Sequence, residues 1–370
     1  MSDNVTLMLV DEDAMQLRAL KRLFRLHLPH IAVHCFDSVS RAQEAYPELK
    51  PDIVMIDKRF TRGSGIEFLQ EIQQALPQAI RVLYSANMTS EGMLASAGVA
   101  HIMLNKVTET EHLLSIMQRA CCLIDFPVDS HTKAYLGKID HLPVLPEVFQ
   151  KLTNYLTQVP YPDNQQAGAI ISEDVGVLTK IIQLANSPLF GGGHTIKKAS
   201  EAVTRLGYDF VKCLVLTIGL FQKQDLNTPS RYRLLEESEA VSELMASMMI
   251  YLKCSKEQID NAYLIGRLHN VGYLLVREDE SPSIEDTALK GAYLLQLWGF
   301  DPELVNAVLQ QASLRSDNHS LLGDSLHLAI TIRYLLKMNL PLNEIDKHID
   351  GAILDDYGLR EWLEQEPSKC

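Results

Sequence analysis

Two periods alternate along the first 124 residues. Short apolar runs, "TLMLV", "IAVHCF", "DIVMI", "RVLYS" and "HIMLN", are each bounded by polar or turn residues and read as buried strands. Segments of helical period lie between them; "AMQLRALKRLFRL" sets Met15, Leu17, Leu20, Leu23, Phe24 and Leu28 broadly along one side. Ser38 is the N-cap expected for the second helix. This alternation predicts an α/β fold, a doubly wound sheet of five parallel strands, with any site at the carboxyl ends of the strands.

From about residue 135 strand-like runs become rare and helical periodicity takes over, which predicts an all-α second part. In "AVSELMASMMIYL" the positions Val241, Leu244, Met245, Met248 and Leu252 form an amphipathic stripe whose methionines read as core filler. "IISEDVGVLTKIIQLANSPLFGGGHTI" reads as helix, stop and glycine turn; Gly191 to Gly193 lack the following lysine of a phosphate-binding loop. The expected organisation is one domain over 1–124, a linker over 125–134, a helical domain over 135–336 and a helical extension over 337–370.

Composition narrows the classes. The 370 residues are 46% hydrophobic and 22% charged, ordinary for globular domains. A formal net charge of −13 argues against a general surface for nucleic acid, because phosphates are repelled. No apolar run approaches the ~18 residues of a membrane span, and the start "MSDNVTLMLVDED" carries acids where a signal peptide carries Lys or Arg. Six scattered cysteines (Cys35, Cys121, Cys122, Cys213, Cys254, Cys370) form no C-x-x-C pair, so thiols in a reducing cytoplasm are expected.

Asp11, Glu12 and Asp57 each follow an apolar strand, and strand ends of a parallel sheet converge on one edge. Carboxylates that close raise one another's pKa unless a cation neutralises them, and oxygen-only ligands favour Mg²⁺. Ser85 ends the fourth strand and Lys106 the fifth, a hydroxyl and an ammonium suited to phosphoryl oxygens. Together these groups suit transfer of phosphate to an aspartate. Asp13 is assigned to the start of the next helix.

Residues 1 to about 124 resemble a response-regulator receiver domain, through "LVDED", "PDIVMIDKRFTRGSGIEFL", "YSA" and "NK". The resemblance implies a flavodoxin-like sheet, Asp57 as phosphoacceptor, Asp11, Glu12 and Asp57 around Mg²⁺, Ser85 as switch hydroxyl and Lys106 as the ammonium that pairs with phosphate. Gly65 matches the family glycine eight residues after the acceptor. The chain departs from the pattern at Phe60 and Thr61, where Met-Pro is usual. It departs again at Val107 for the proline after the lysine, and at Met103 for the aromatic switch residue. Without that proline the Lys106 loop is expected to be arranged differently, a cis bond before another residue costing ~3 kcal/mol. Lys58 and Arg59 place two cations beside the acceptor.

In "RLHNVG", His269 precedes Asn270, where a His-Asp phosphohydrolase has a metal-binding His-Asp pair. Residues from about Leu142 to Leu336 resemble the HDOD domain, a helical relative of those hydrolases. The resemblance runs through "LPVLPEVFQKL", "IISEDVGVLTKIIQLANSPLF", "KKASEAVTRLGYDFVKCLVL", "YLIGRLHNVGYLLV" and "GAYLLQLWGFDPELVNAVL". Against the hydrolase pattern the other ligand positions hold Glu237, Thr287 or Ala288, Gln310-Gln311 and Ala329. His194, His319 and His327 lack the spacing to rebuild a site. A kept fold without its chemistry is the expectation, with His269 a hydrogen-bonded core histidine and Asn270 the partner of a neighbour or of backbone at a helix junction.

These features describe a signalling protein rather than an enzyme. The resemblance implies that a sensor histidine kinase or small phosphodonor phosphorylates Asp57 and that the helical part acts on an unidentified downstream protein or a second copy of the chain. The rival is a metal-dependent phosphodiesterase acting on a cyclic dinucleotide at His269. A transcription factor would need a basic recognition helix, which only "KKASEAVTRLG" approaches.

Overall fold

The computed structural model describes residues 5–86, 90–142, 144–159, 162–190, 194–220, 228–276, 282–312 and 320–365. Gly191 to Gly193, His319 and Cys370 lie outside the described residues. The five apolar runs become five strands: β1 (Val5–Val10), β2 (Ile31–Phe36), β3 (Ile53–Ile56), β4 (Ile80–Ser85) and β5 (Ile102–Asn105). They pair in parallel in the order β2-β1-β3-β4-β5. Val5 lies opposite Ile31, Leu7 opposite Ile53, Ile53 opposite Ile80 and Val82 opposite Ile102. Every residue of β3 and β4 is buried, as expected of interior parallel strands covered on both faces.

The covering helices are α1 (Ala14–His27), α2 (Val39–Leu49), α3 (Gly65–Ala75), α4 (Ser90–Ala97) and α5 (Thr110–Ile124). Asp13, Ser38 and Ser64 cap the first three, each accepting from backbone N–H groups of the first turn. Leu17, Leu20, Phe24 and Leu28 are buried on the expected side of α1, but Met15 is 73% exposed. The physical reason is angular: Met15 stands two positions before Leu17, about 200° around the helix, on the side away from Leu17, Leu20 and Phe24.

The segment expected as a linker carries a short helix, α6 (Ser130–Leu136), capped by Asp129. The rest is helical: α7 (Pro146–Gln158), α8 (Asn164–Ser172), α9 (Val175–Ala185), α10 (Ala199–Leu206), α11 (Tyr208–Leu220), α12 (Thr228–Tyr251), α13 (Lys256–Leu268), α14 (Ile284–Leu297), α15 (Pro302–Gln310) and α16 (Leu321–Lys337). Val241, Leu244, Met245 and Met248 are wholly buried on α12, the side that packs on α13 and α16. Helices α17 (Ala352–Asp356) and α18 (Arg360–Gln365) are the last elements among the described residues, and Trp362 buries its ring while its indole N–H donates to Ser247 Oγ at 3.1 Å. No disulfide joins the described cysteines. No helix among the described residues is long and apolar enough to cross a membrane.

Candidate functional site at the sheet edge and its contact with the helical half

Asp11 and Asp57 each begin the loop after a buried strand, Ser85 closes β4 and Lys106 follows β5, so register alone brings the four to one edge. Lys106 Nζ donates to Asp11 Oδ2 at 2.6 Å and also to Asp57 Oδ2. Ser85 Oγ donates to Asp57 Oδ1 at 2.8 Å, and the Arg59 amide reaches the same oxygen at 3.2 Å. Burial works to lower the pKa of Lys106, but its hydrogen bonds to Asp11 and Asp57 outweigh that and raise it. The ammonium is therefore charged throughout the physiological range. Both oxygens of Asp57 face groups that can also hold a phosphoryl oxygen.

The Lys106 loop does without proline. All described peptide bonds are trans, Asn105 Oδ1 accepts the Val107 N–H at 3.1 Å, and Thr108 N–H closes on the Asn105 carbonyl at 2.9 Å. Tyr84 donates to the Lys106 carbonyl at 3.3 Å and accepts from Gln16 at 3.4 Å, a brace that sequence reasoning did not single out. Gly65 is required by close approach: a Cβ there would lie 1.9 Å from the Asp57 carbonyl oxygen.

Glu12 follows a different course. Its two oxygens accept the Thr61 N–H at 2.6 Å and the Thr61 hydroxyl at 2.9 Å. The departure at position 61 explains this, since a proline has no N–H to give. Oxygen-only donors suit Mg²⁺, and Asp11 and Asp57 fit it, sharing one ammonium between two carboxylates. Among the described residues no three His, Cys, Asp or Glu side chains converge as metal ligands. Glu12 would join Asp11 and Asp57 only by releasing Thr61.

The edge is tied to the helical half through α9, a link the sequence reading also missed. Lys180, Gln183 and Ser187 recur at intervals of three and four along α9 and its C-terminal end, which places them on one stripe. Lys180 Nζ donates to the carbonyls of Ala97 at 2.6 Å, where α4 ends, and of Asp140 at 2.7 Å. Gln183 Nε2 donates to the His101 carbonyl at 3.4 Å, and Ser187 Oγ to the Met103 carbonyl at 2.8 Å. Three side chains of one helix thus hold the backbone from the end of α4 into β5. Burial pushes the Lys180 ammonium down to about 8, and it lies 5.4 Å from the Trp298 ring centroid. A lysine and a glutamine in the apolar run "VGVLTKIIQLANS" were the available signal.

Two further buried ties complete the contact. Arg81, on β4, donates to the carbonyls of Val99 at 2.6 Å and Gly137 at 2.7 Å, the second belonging to the C-cap of α6. A Cβ on Gly137 would lie 1.9 Å from the Pro77 carbonyl oxygen, so only glycine permits this approach. His101 stands between, with Nδ1 facing the Arg81 N–H at 3.2 Å and Nε2 facing the Gly137 carbonyl at 3.1 Å. The Arg81 guanidinium also lies 2.7 Å from His101 Nε2; burial and then the Arg81 charge hold the His101 pKa well below the usual histidine range. The rings of Phe126 and Tyr293 meet edge to face at 5.5 Å.

The residues around His269 each have a protein partner, while Asn270 Oδ1 and His327 Nε2 are buried without a hydrogen bond. His269 is 6% exposed, and its Nδ1–H meets the Gly266 carbonyl at 2.7 Å. Burial pushes its pKa down to about 4, against the smaller upward pull of Gly266 and Glu237. Asn270 Nδ2 donates to the Leu234 carbonyl at 2.7 Å, tying α12 to the junction after α13. Gln311 Nε2 donates to the His269 carbonyl at 2.9 Å, and His327 Nδ1 faces the Gln311 carbonyl at 2.9 Å. Glu237 pairs with Arg333 at 3.5 Å and Lys337 at 2.5 Å. Thr287 Oγ1 turns back to its own helix, and Ala288 and Ala329 are core residues. His194 is exposed, 3.8 Å from Glu201.

Comparison with known proteins agrees with this architecture. The family model described as response regulator receiver domain matches residues 7–118, and the HDOD domain model matches residues 142–288. An uncharacterized protein of Treponema pallidum (strain Nichols) is 26% identical over 198 residues, 46% of this chain and 37% of that relative. The chain thus spans little more than a third of the curated relative it matches. The signal receiver domain of an HD domain-containing protein from Pseudomonas fluorescens Pf-5 is 20% identical, covering 32% of this chain and 88% of that one, with a TM-score of 0.31. The MmoQ response regulator (fragment 20–298) from Methylococcus capsulatus str. Bath is 16% identical, covering 52% and 83%, with a TM-score of 0.43. The chain therefore joins a response regulator receiver domain, residues 7–118, to an HDOD domain, residues 142–288, the composition of a response regulator with a helical output part.

Proposed function

We propose that Asp57 takes up a phosphoryl group from a sensor histidine kinase or a small phosphodonor, and that the HDOD part, itself without catalysis, relays the change to another protein in the cytoplasm. The observation that carries the reading is the double engagement of Asp57, with Ser85 on one oxygen and Lys106 on the other. In the transfer an Asp57 oxygen forms a bond to phosphorus. The bond from phosphorus to the donor nitrogen or oxygen breaks, and the leaving group departs with that electron pair. Lys106 and Ser85 then hold phosphoryl oxygens in place of the carboxylate. Asp11 and Asp57, joined by Glu12 once Thr61 lets go, would hold Mg²⁺, which supplies positive charge against the phosphoryl oxygens.

Phosphorylation adds about −1.5 to −2 charge at this edge. Lys106 and Ser85 belong to the loops beside β5 and β4, so redirecting them shifts the backbone that Lys180, Gln183 and Ser187 hold. The output is a change in how the two halves pack, or in contact with a partner or a second copy. The non-catalytic reading of the HDOD part rests on its residues: one neutral imidazole engaged by backbone, an amide at position 270 and a Glu237 neutralised by two cations. The test is intact-mass measurement after incubation with acetyl phosphate and Mg²⁺. Gain of one phosphoryl group by wild type and none by Asp57→Asn supports the reading; no gain by wild type overturns it.

A further inference from the structure

A cavity of about 740 Å³ opens where the two halves meet, with β5 and α5 as one wall and α9, α13 and the α14–α15 turn as the other. Volume and position match those of small-molecule sites, which favour domain interfaces. Its lining is chemically uneven. Gln183 is 8% exposed, and its Nε2 is used on the His101 carbonyl while its Oε1 has no hydrogen-bond partner. A buried acceptor left unmade is costly, so the wall presents a point that demands a donor. Arg119, on α5, is half-buried; its carbonyl accepts from Gln296 at 3.3 Å. Burial works against its charge, which only Asp301 offsets, so an anion beside it is favoured. Of the other cations in the lining, Lys197 pairs with Glu257 and Arg205 donates to the Ala185 and His194 carbonyls, while Glu109, Asp301 and Glu303 keep the attraction local to Arg119. Trp298 and Phe300, both buried, supply flat apolar surface.

We propose that this cavity binds a small aromatic anion carrying an N–H donor, its charge on Arg119, its N–H on Gln183 Oε1 and its ring against Trp298 and Phe300. Because each half contributes a wall, such a ligand bridges the receiver and the HDOD part, and it does so whatever the state of Asp57. This goes beyond phosphorylation and stands without it. The chemistry is shared by phosphate esters and carboxylates that carry a heteroaromatic ring with an N–H.

The test uses 8-anilinonaphthalene-1-sulfonate, an aromatic anion with one N–H, titrated by fluorescence into the full unphosphorylated chain. The expected result is saturable binding of one molecule per chain, weakened at least tenfold in Arg119→Leu and in Gln183→Leu. Thermal melts check that both variants fold, and Arg119→Lys, which keeps the charge, separates loss of the cation from loss of the fold. Displacement by adenosine 5′-monophosphate assigns the natural anion to phosphate esters; displacement by indole-3-acetate assigns it to carboxylates. Absence of saturable binding, equal binding by both leucine variants, or displacement by neither competitor overturns the proposal.

Discussion

Ser187 Oγ donates a 2.8 Å hydrogen bond to the carbonyl oxygen of Met103, so a hydroxyl at the end of α9 holds the strand whose next loop carries Lys106. The position where receivers usually place a switch aromatic is here a buried methionine read through its backbone. Removing that hydroxyl in Ser187→Ala is expected to cost about 1 kcal/mol, seen as a lower urea midpoint with an unchanged slope. An unchanged midpoint contradicts a structural role for the contact.

Lys180 predicts a pH dependence of definite sign. Burial holds its folded pKa at about 8, below the 10.5 of an exposed lysine. Between those values the unfolded chain binds the extra proton, so stability rises with pH through that window, by up to about 3 kcal/mol. Unfolding free energies compared for wild type and Lys180→Met should differ in slope between pH 8 and 10.5, the variant being flatter. Parallel curves would show that the ammonium is solvated.

His269 gives the opposite limb. Its folded pKa of about 4 lies below the 6.5 of an exposed histidine. The unfolded state therefore takes up the proton first as pH falls, and stability declines from pH 6.5 to 4 by up to about 3 kcal/mol. His269→Gln should lose that part of the decline in equilibrium unfolding measured at each pH. A variant with the wild-type acid profile would remove His269 as its source.

Gly65→Ala tests the close approach at Asp57, the proposed phosphoacceptor. The added Cβ meets the Asp57 carbonyl oxygen at 1.9 Å and forces the backbone apart, at a cost of about 1–3 kcal/mol. Displacement of Asp57 from Ser85 and Lys106 should slow phosphoryl uptake on the order of 10²-fold. An unaltered uptake rate would show that the loop yields without moving the carboxylate.

Most of the sheet was legible because its strands are compact apolar runs of fixed period, and Asp11, Asp57, Ser85 and Lys106 converge because parallel strands end together. Less legible were features that depend on backbone atoms. Thr61 captures Glu12 partly through an N–H, Gly137 admits the Pro77 carbonyl, and Lys180 seeks carbonyls of a distant segment. Side-chain patterns carry no record of which carbonyls come near. Helix α6, which starts in the expected linker and runs past its end, was missed for a related reason, since its seven residues are too few to display a period.

Hydrogen–deuterium exchange across Ser90–Asn105 and α9, with and without acetyl phosphate and Mg²⁺, tests the central claim most directly. The account predicts faster exchange in both segments when Asp57 is phosphorylated, and no change in Asp57→Asn under the same treatment. Stoichiometric phosphorylation with identical exchange in both segments would contradict it.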